Sequence, residues 1–302
     1  FSKKHAGVGS ARKEGMDEAV RRFSENGNDG LIVCLDADCR VSKNYLCELE
    51  KIAEVQNVSS VCIHFEHSYQ NEPNEELRYG ILLYENFLRY YKEALQWSGF
   101  PFYFHTIGSS MAVRCTTYCR AGGMNRRKAG EDFYFLHKVF PMGITIELNS
   151  CTVYPSCRTS ERVPFGTGRA QLNFLKNRSS AERSYSFLSF ALLKEFMSMD
   201  PQKIILNELP LPLKNFLTVH GFEKKRNEIA ANTASANHFR KRFFAWFDGF
   251  MVLKFVHFCR DNYFPDEILL GSINAFFIQK GKDKLSDHEK AIVFLRKMQC
   301  GV

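Results

Sequence analysis

Leu31-Ile32-Val33-Cys34-Leu35-Asp36-Ala37-Asp38-Cys39 is the run that decides how the chain is read. Five apolar residues lead straight into Asp-Ala-Asp, and Asn28-Asp29-Gly30 marks the entry as a turn. A short unbroken apolar run bounded by turn residues predicts a strand buried on both faces, as in parallel sheets. Its polar end is then the carboxyl end, where open α/β sheets receive ligands. On an extended chain Asp36 and Asp38 share a face while Ala37 turns away. Two carboxylates so placed repel each other unless a cation or basic group lies between them. Oxygen donors of this kind suit Mg²⁺ or Mn²⁺, which commonly also hold a substrate phosphate. The competing reading is a plain helix or turn cap.

The 302 residues can hold one large core or two modest domains. A hydrophobic fraction of 45% and a charged fraction of 25% are ordinary for a globular protein. The net charge of +8 suits an anionic partner such as a nucleoside diphosphate or a lipid headgroup. No zinc-finger, RNP or long basic-aromatic signature points to nucleic acid. Ten cysteines are few for this length, and Cys34, Cys62 and Cys259 sit in apolar runs, as small hydrophobes in a reducing compartment do. Cys115 and Cys119 lack a second pair at finger spacing, which argues against zinc. No apolar run reaches ~18 residues and no signal peptide is evident, so a cytoplasmic location is expected, with peripheral contact at the inner membrane face as an option.

Along the chain, period predicts a helix from Ala11 to Glu25, capped at Ser10 behind Gly7-Val8-Gly9, with Arg12 in its first turn. A helix N-terminus beside an arginine is an anion site. A second helix runs from the Ser42 cap to Val55, burying Tyr45, Leu46, Leu49, Ile52 and Ala53. Ser59 to Phe65 is a strand, and Glu75 to Trp97 a long amphipathic helix whose aromatic stripe reads as core. Phe102 to Arg114 reads as strand, Gly108-Ser109-Ser110 turn and strand. Gly122-Gly123-Met124-Asn125 makes a loop that an acceptor can approach closely. The helix from Gly130 to Val139 opens with Glu131 and Asp132, a position the helix dipole alone also favours. Two short strands, Ile144 to Glu147 and Cys151 to Tyr154, precede a long loop holding Arg158, Arg162 and Arg169. Helices follow at Ala181 to Met199 and His238 to Asp261. Residues 221–260 carry eight Lys or Arg against three Asp or Glu, among many Phe. Such a helix suits an anionic membrane surface, or a lid whose aromatics pack inward.

His5-Ala6-Gly7-Val8-Gly9-Ser10-Ala11-Arg12-Lys13, Leu35-Asp36-Ala37-Asp38, Gly108 to Arg114, Gly122 to Asn125 and Gly130-Glu131-Asp132 follow in an order that resembles the family 2 glycosyltransferases. The resemblance spans about Lys4 to Arg169 and implies a GT-A fold, an α/β mixed sheet flanked by helices. It implies a metal-dependent, inverting, hexosyl-type transfer from a nucleotide diphosphate sugar to a hydroxyl of a polysaccharide, glycolipid or cell-envelope glycan. Asp38 then binds Mn²⁺ or Mg²⁺, Asp36 the metal or ribose, and Arg12, with Lys13 beside it, the donor phosphates. Asp132 is the base and Glu131 orients it or the acceptor, for inverting transfer needs one carboxylate to take the hydroxyl proton. The small residues at Gly108 to Ser110 lie under the donor sugar, and the Gly122 to Asn125 loop meets the acceptor. The arginine loop closes as a lid on the diphosphate through Arg158 or Arg162. Where many relatives place a metal-binding His, Tyr154-Pro155-Ser156 offers none.

Asp36 stands too near Phe1 for a preceding strand-helix-strand unit, which in the family supplies the first strands and much of the base pocket. The expectation is therefore an incomplete GT-A domain over 1–169, with an open apolar sheet edge, and a helical region over 170–302. The alternatives are a nucleotidyltransferase-like enzyme and a non-catalytic nucleotide-sugar-binding module.

Overall fold

The computed structural model describes residues 7–162 and 164–301. Lys4, His5 and Ala6 of the first motif and Val163 of the arginine loop lie outside the described residues. The chain divides into two compact units. The first takes Phe1–Arg89, Phe104–Glu182 and His288–Val302, and the second takes Tyr90–Tyr103 and Arg183–Asp287. The expected boundary at 169/170 thus falls inside the first unit.

The first unit runs through α1 (Val8–Glu25), β1 (Leu31–Cys34), β2 (Arg40–Val41), α2 (Tyr45–Ala53) and β3 (Val58–Phe65). It continues with the first part of α3 (Glu75–Trp97), then β4 (Met111–Arg114), α4 (Cys115–Arg120), α5 (Glu131–Val139), β5 (Ile144–Tyr154), α6 (Thr167–Lys176) and α7 (Arg178–Ala181). The five strands form one mixed sheet in the order β1-β4-β3-β5-β2. Only β3 and β5 run parallel; β1, β4 and β3 alternate in direction, and β2 is antiparallel to β5. The α/β expectation holds at this level.

Its detail does not. The strand read as buried on both faces is an antiparallel edge strand, with Leu31 opposite Arg114 and Cys34 opposite Met111. Ile32 and Cys34 are buried, while Val33 and Leu35 are 38% and 44% exposed. An apolar run reports hydrophobicity, not whether a second layer covers it. Two-sided burial belongs instead to central β3, buried at all eight positions. Around β3 the core gathers Val61, Ile63 and Phe65, then Ala112 of β4, Leu148, Cys151 and Val153 of β5, and Tyr45 and Leu49 of α2. Leu46, expected in that face, is 76% exposed. No strand forms over 102–107, and β5 runs unbroken where two strands were expected. Ser42 does not cap α2 but holds β5, accepting from the Thr152 amide at 3.0 Å.

The second unit holds the last turns of α3, then β6 (Arg183–Ser184), α8 (Phe187–Ser198), α9 (Leu211–Val219), α10 (Phe222–Ala231) and α11 (Ala236–Trp246). It ends with α12 (Gly249–Asn262), β7 (Glu267–Ile268) and α13 (Leu269–Gln279). The helix expected over 238–261 is two helices. Asp248 divides them, its Oδ1 accepting from the Met251 amide at 2.9 Å as the cap of α12. Phe239, Phe243 and Phe247 are buried, with Phe196 5.0 Å and Phe222 6.5 Å from rings of that stripe, while Arg240, Lys241 and Arg242 stay exposed. These three rings therefore pack inward, while Trp246, Phe250 and Phe258 stay half-buried. Among the described residues no helix is long and apolar enough to cross a membrane.

The chain then returns to the first unit as α14 (His288–Gln299). Arg296 of α14 donates to Glu85 Oε1 at 2.8 Å and Oε2 at 3.0 Å, and pairs with Glu66 at 3.0 Å. Glu85, one turn from Arg89 on α3, also accepts from Arg89 Nε at 2.8 Å and meets His67 Nδ1 at 2.9 Å. The other ring nitrogen of His67 reaches Thr167 Oγ1 at 3.2 Å, at the start of α6. Glu85 and His67 are 1% and 2% exposed. This network fixes the far end of the arginine loop.

Candidate functional site

Arg12 is the centre of the site. Its side chain is 9% exposed and reaches three elements at once. Nε donates to Glu131 Oε1 at 3.3 Å, Nη2 to Asp36 Oδ1 at 3.1 Å, and Nη1 to the Gly108 carbonyl. The N–H of the same residue donates to Asp132 Oδ2 at 3.0 Å, while the Phe133 amide donates to Oδ1 at 2.8 Å. Gly108 thus holds the arginine with its carbonyl and the carboxylate with its N–H. A Cβ there would lie 2.7 Å from Arg12 Nη2 and 3.1 Å from Asp132 Oδ2. Residues 12, 36, 108, 131 and 132 are thereby brought together.

The start of α1 does something other than expected. Gly7 is its N-cap, with no side-chain cap, and Ser10 lies inside the helix with its buried hydroxyl lacking a hydrogen-bond partner. The Gly9 amide donates to the Arg127 carbonyl at 3.2 Å. A Cβ on Gly9 would stand 2.4 Å from that oxygen and 2.8 Å from the Asn125 carbonyl. The glycines therefore admit the backbone of the 125–127 loop, and protein carbonyls take the place of an anion at this helix end. Anion recognition is left to the Arg12 side chain.

Three carboxylates draw on that one guanidinium. Burial raises the Asp132 pKa above its ordinary value, against the pull of the Phe133 and Gly108 amides and of Arg12. Glu131, 3% exposed, is raised by burial and by the Asp132 charge, against Arg12. Burial opposes the Arg12 charge, yet Asp36, Glu131 and Asp132 hold its pKa above the ordinary value. Gly130 makes this possible by turning the chain at φ +67° into α5, and Asn125 Nδ2 donates to the Glu131 carbonyl at 3.1 Å.

The second carboxylate of the Asp-Ala-Asp turn is also paired. Asp38 Oδ2 accepts from Arg158 Nε at 2.7 Å, and both side chains are partly exposed. Arg162 is exposed, with its amide on Ser160 Oγ at 3.3 Å. Lys13 stands apart from this cluster: it pairs with Asp17 at 2.8 Å, and Tyr118 donates to the same carboxylate at 2.6 Å. Its ammonium faces the neighbouring loop, 3.1 Å from where a Gly123 Cβ would be. In that loop Gly122 and Gly123 turn the chain at φ +72° and +76°, Met124 is 2% exposed, and Asn125 anchors the approach to Glu131. Of the residues expected to meet an acceptor, Met124 is packed in the core.

Sequence reasoning missed two groups. Gly108 was legible as a small residue but not as a clamp. Tyr84 of α3, read as packing, is half-buried, its ring centroid 6.2 Å from that of His67. Burial and the nearby Asp132 charge raise its phenol pKa. An aromatic stripe carries no signal of which member lies within the influence of a distant carboxylate.

For a divalent cation, Asp36 and Asp38 each commit one oxygen to an arginine and keep the other, on side chains 47% and 38% exposed. Among the described residues no three His, Cys, Asp or Glu converge on one ion. Two carboxylates fit a Mg²⁺ or Mn²⁺ whose remaining ligands are substrate phosphate and water, not a cation caged by protein alone. The chain matches no protein-family model, no curated protein and no solved structure.

Proposed function

We propose that the chain is an inverting glycosyltransferase, moving a sugar from a nucleotide diphosphate donor to an acceptor hydroxyl of a glycan or lipid-linked glycan. One observation carries the reading: the sheet-end Asp36 and the helix-start Glu131 and Asp132 meet on Arg12 and Gly108, beside the Asp38–Arg158 pair. That arrangement supplies a proton acceptor and two fixed positive charges within one site.

In this reading Asp132 takes the acceptor's hydroxyl proton as the oxygen attacks the anomeric carbon. A new C–O bond forms on one face while the bond to the diphosphate oxygen breaks on the other, its electron pair leaving with the diphosphate. The raised pKa of Asp132 improves it as a base, since a carboxylate of higher pKa accepts a proton more readily. Arg12 and Arg158 stabilise the charge that develops on the departing phosphates. Asp38 and Asp36 would hold Mn²⁺ or Mg²⁺, which supplies further charge neutralisation there when bound. Glu131 keeps Arg12 and Asp132 in register.

The test is incubation with a panel of nucleotide diphosphate sugars and Mn²⁺, with Asp132→Asn alongside. Free nucleoside diphosphate from the wild type, and not from the variant, is the expected result. Inorganic pyrophosphate as the product would replace the reading with nucleotidyl transfer. Donor binding with no product from any sugar would leave a binding module.

A further inference from the structure

In the second unit, α10 and α11 gather positive charge that nothing around them balances. From Ile229 to Phe247 the chain has no Asp or Glu, yet Arg240, Lys241 and Arg242 follow one another there. α11 buries Phe239, Phe243 and Phe244 on one side, and its period places Lys241, Arg242 and Ala245 on the other, where all three are exposed. Arg240 is exposed as well, its guanidinium 5.1 Å from the centre of the Phe244 ring. On α10, Lys224 is exposed and Lys225 pairs with Glu228 at 2.8 Å. Glu228 is held below its ordinary pKa by Lys225 first, and also by Lys224 and Arg242, so cations of both helices surround one carboxylate. Among the described residues Lys224, Arg240, Lys241 and Arg242 form no ion pair. Like charges gathered this way repel one another and add nothing to the fold. They suit an anion that lies against them from outside.

The groups beside the cations decide which anion. A nucleic-acid surface adds exposed rings on which bases stack. Among the described residues no aromatic ring of the second unit is fully exposed. What is exposed there is aliphatic. Val219, 74% exposed, ends α9 just ahead of α10. Ile205, 56% exposed, follows the Ile204 carbonyl, to which Arg226 of α10 donates at 2.5 Å. Cations bordered by aliphatic side chains match a bilayer, where anionic headgroups lie over acyl chains. We infer that α10 and α11 dock the second unit on an anionic lipid surface, by charge, with Val219 and Ile205 as the apolar border. The buried phenylalanines of α11 serve this only indirectly, by fixing the helix so that its basic side faces outward. The docking does not depend on the transfer chemistry proposed above.

The test is sedimentation of the intact chain with sucrose-loaded phosphatidylcholine vesicles, made with and without phosphatidylserine. Binding is expected only where phosphatidylserine is present. It should fade as salt rises from about 0.1 M to about 1 M, where the screening length falls from about 10 Å to about 3 Å. A variant carrying Arg240→Gln, Lys241→Gln and Arg242→Gln should partition about 100-fold more weakly, at about fivefold for each cation. Thermal unfolding verifies that this variant is folded. Lys224→Gln combined with Lys241→Gln spares the contact of Arg240 with Phe244 and should lose about 25-fold. No sedimentation at low salt, equal binding to vesicles without phosphatidylserine, or variants that bind as the wild type does would each overturn the docking. Tighter binding to a short DNA duplex than to the vesicles would give the surface to nucleic acid and overturn the lipid partner. Release of nucleoside diphosphate from a soluble donor should be the same in both variants as in the wild type, so failure here leaves the transfer reading standing.

Discussion

Two acidic clusters lie in the first unit, and their charges are balanced in opposite ways. At Glu85 one carboxylate meets Arg89, Arg296 and His67. Burial opposes its ionisation, but those partners outweigh burial and hold its pKa well below the usual range. At Arg12 the proportion is reversed, with Asp36, Glu131 and Asp132 around one guanidinium. There burial prevails, and Glu131 and Asp132 are pushed up. A carboxylate with surplus cations is complete as structure. One with too few retains affinity for a proton or a cation, which is what a reacting site requires.

The sharpest way to break this contrast is Asp132→Asn. Transfer should fall by roughly 10²–10⁴, the usual worth of a general base, while binding of pyrophosphate with Mn²⁺ survives. A normal single-turnover rate would return Asp132 to the bland role of a helix-start carboxylate. Loss of ligand binding as well would move it into the donor site.

Next comes Glu85→Gln, which leaves the buried Arg89 without its counter-charge and Arg296 with Glu66 alone. Removing one partner of a buried pair typically costs about 3–5 kcal/mol, to be read by urea denaturation. A change under about 1 kcal/mol would mean that the surplus cations are held by something else.

The two clusters should also part company with pH. Glu85 has a depressed folded pKa, so its stabilisation is complete above its ordinary 4.5 and drains as pH falls toward the folded value. Asp132 has a raised folded pKa, so the stability it lends is full below its ordinary 3.8 and is lost as pH rises through the folded value. The transfer rate, which in the proposed reading needs the ionised base, should accordingly begin to fall on acidification at a pH above 3.8. A rate that stays flat down to that value would contradict an elevated Asp132.

The smallest effect follows from the same sign. Near neutral pH, Asp132→Asn should change stability by at most about 1 kcal/mol, and toward greater stability, since it removes a carboxylate that is buried at a cost. The gain over wild type should shrink on acidification. Destabilisation by several kcal/mol would show that the Gly108 and Phe133 amides depend on the ionised group.

The local signals in the sequence located most elements. α3 spans Glu75 to Trp97 as its apolar period predicts, with Asn74 Oδ1 accepting from the Leu77 amide at 3.0 Å. α5 likewise begins where Gly130 and the acidic pair mark a start. What escaped was set by distant partners. β1 shares its pairing with β4, some eighty residues on, so its apolar run could not say that it lies at an edge. Glu85 and Arg89 are one turn apart and look like a solvated pair, until Arg296 arrives from 211 residues away. In the site, Arg12, Asp36, Asp38, Glu131 and Asp132 were legible as chemistry-bearing types in a familiar order. That Arg12 would be shared among three carboxylates was not, because the joint is the Gly108 backbone, which any residue type carries.

The placement of α14 bears on how the protein is made. Glu85, His67 and Arg89 emerge from the ribosome early, but Arg296 follows only after the whole second unit, residues 183–287, has been synthesised. During that interval a buried glutamate lacks one of its two arginines, and Asn149 lacks the Gln299 carbonyl to which it donates at 2.8 Å. Contacts this far apart in sequence close slowly, since loop-closure entropy is lost before they form. The second unit, continuous over that stretch apart from its share of α3, is free to fold while the first waits. A nascent chain stalled before residue 296 should therefore protect residues 183–287 from protease sooner than the sheet.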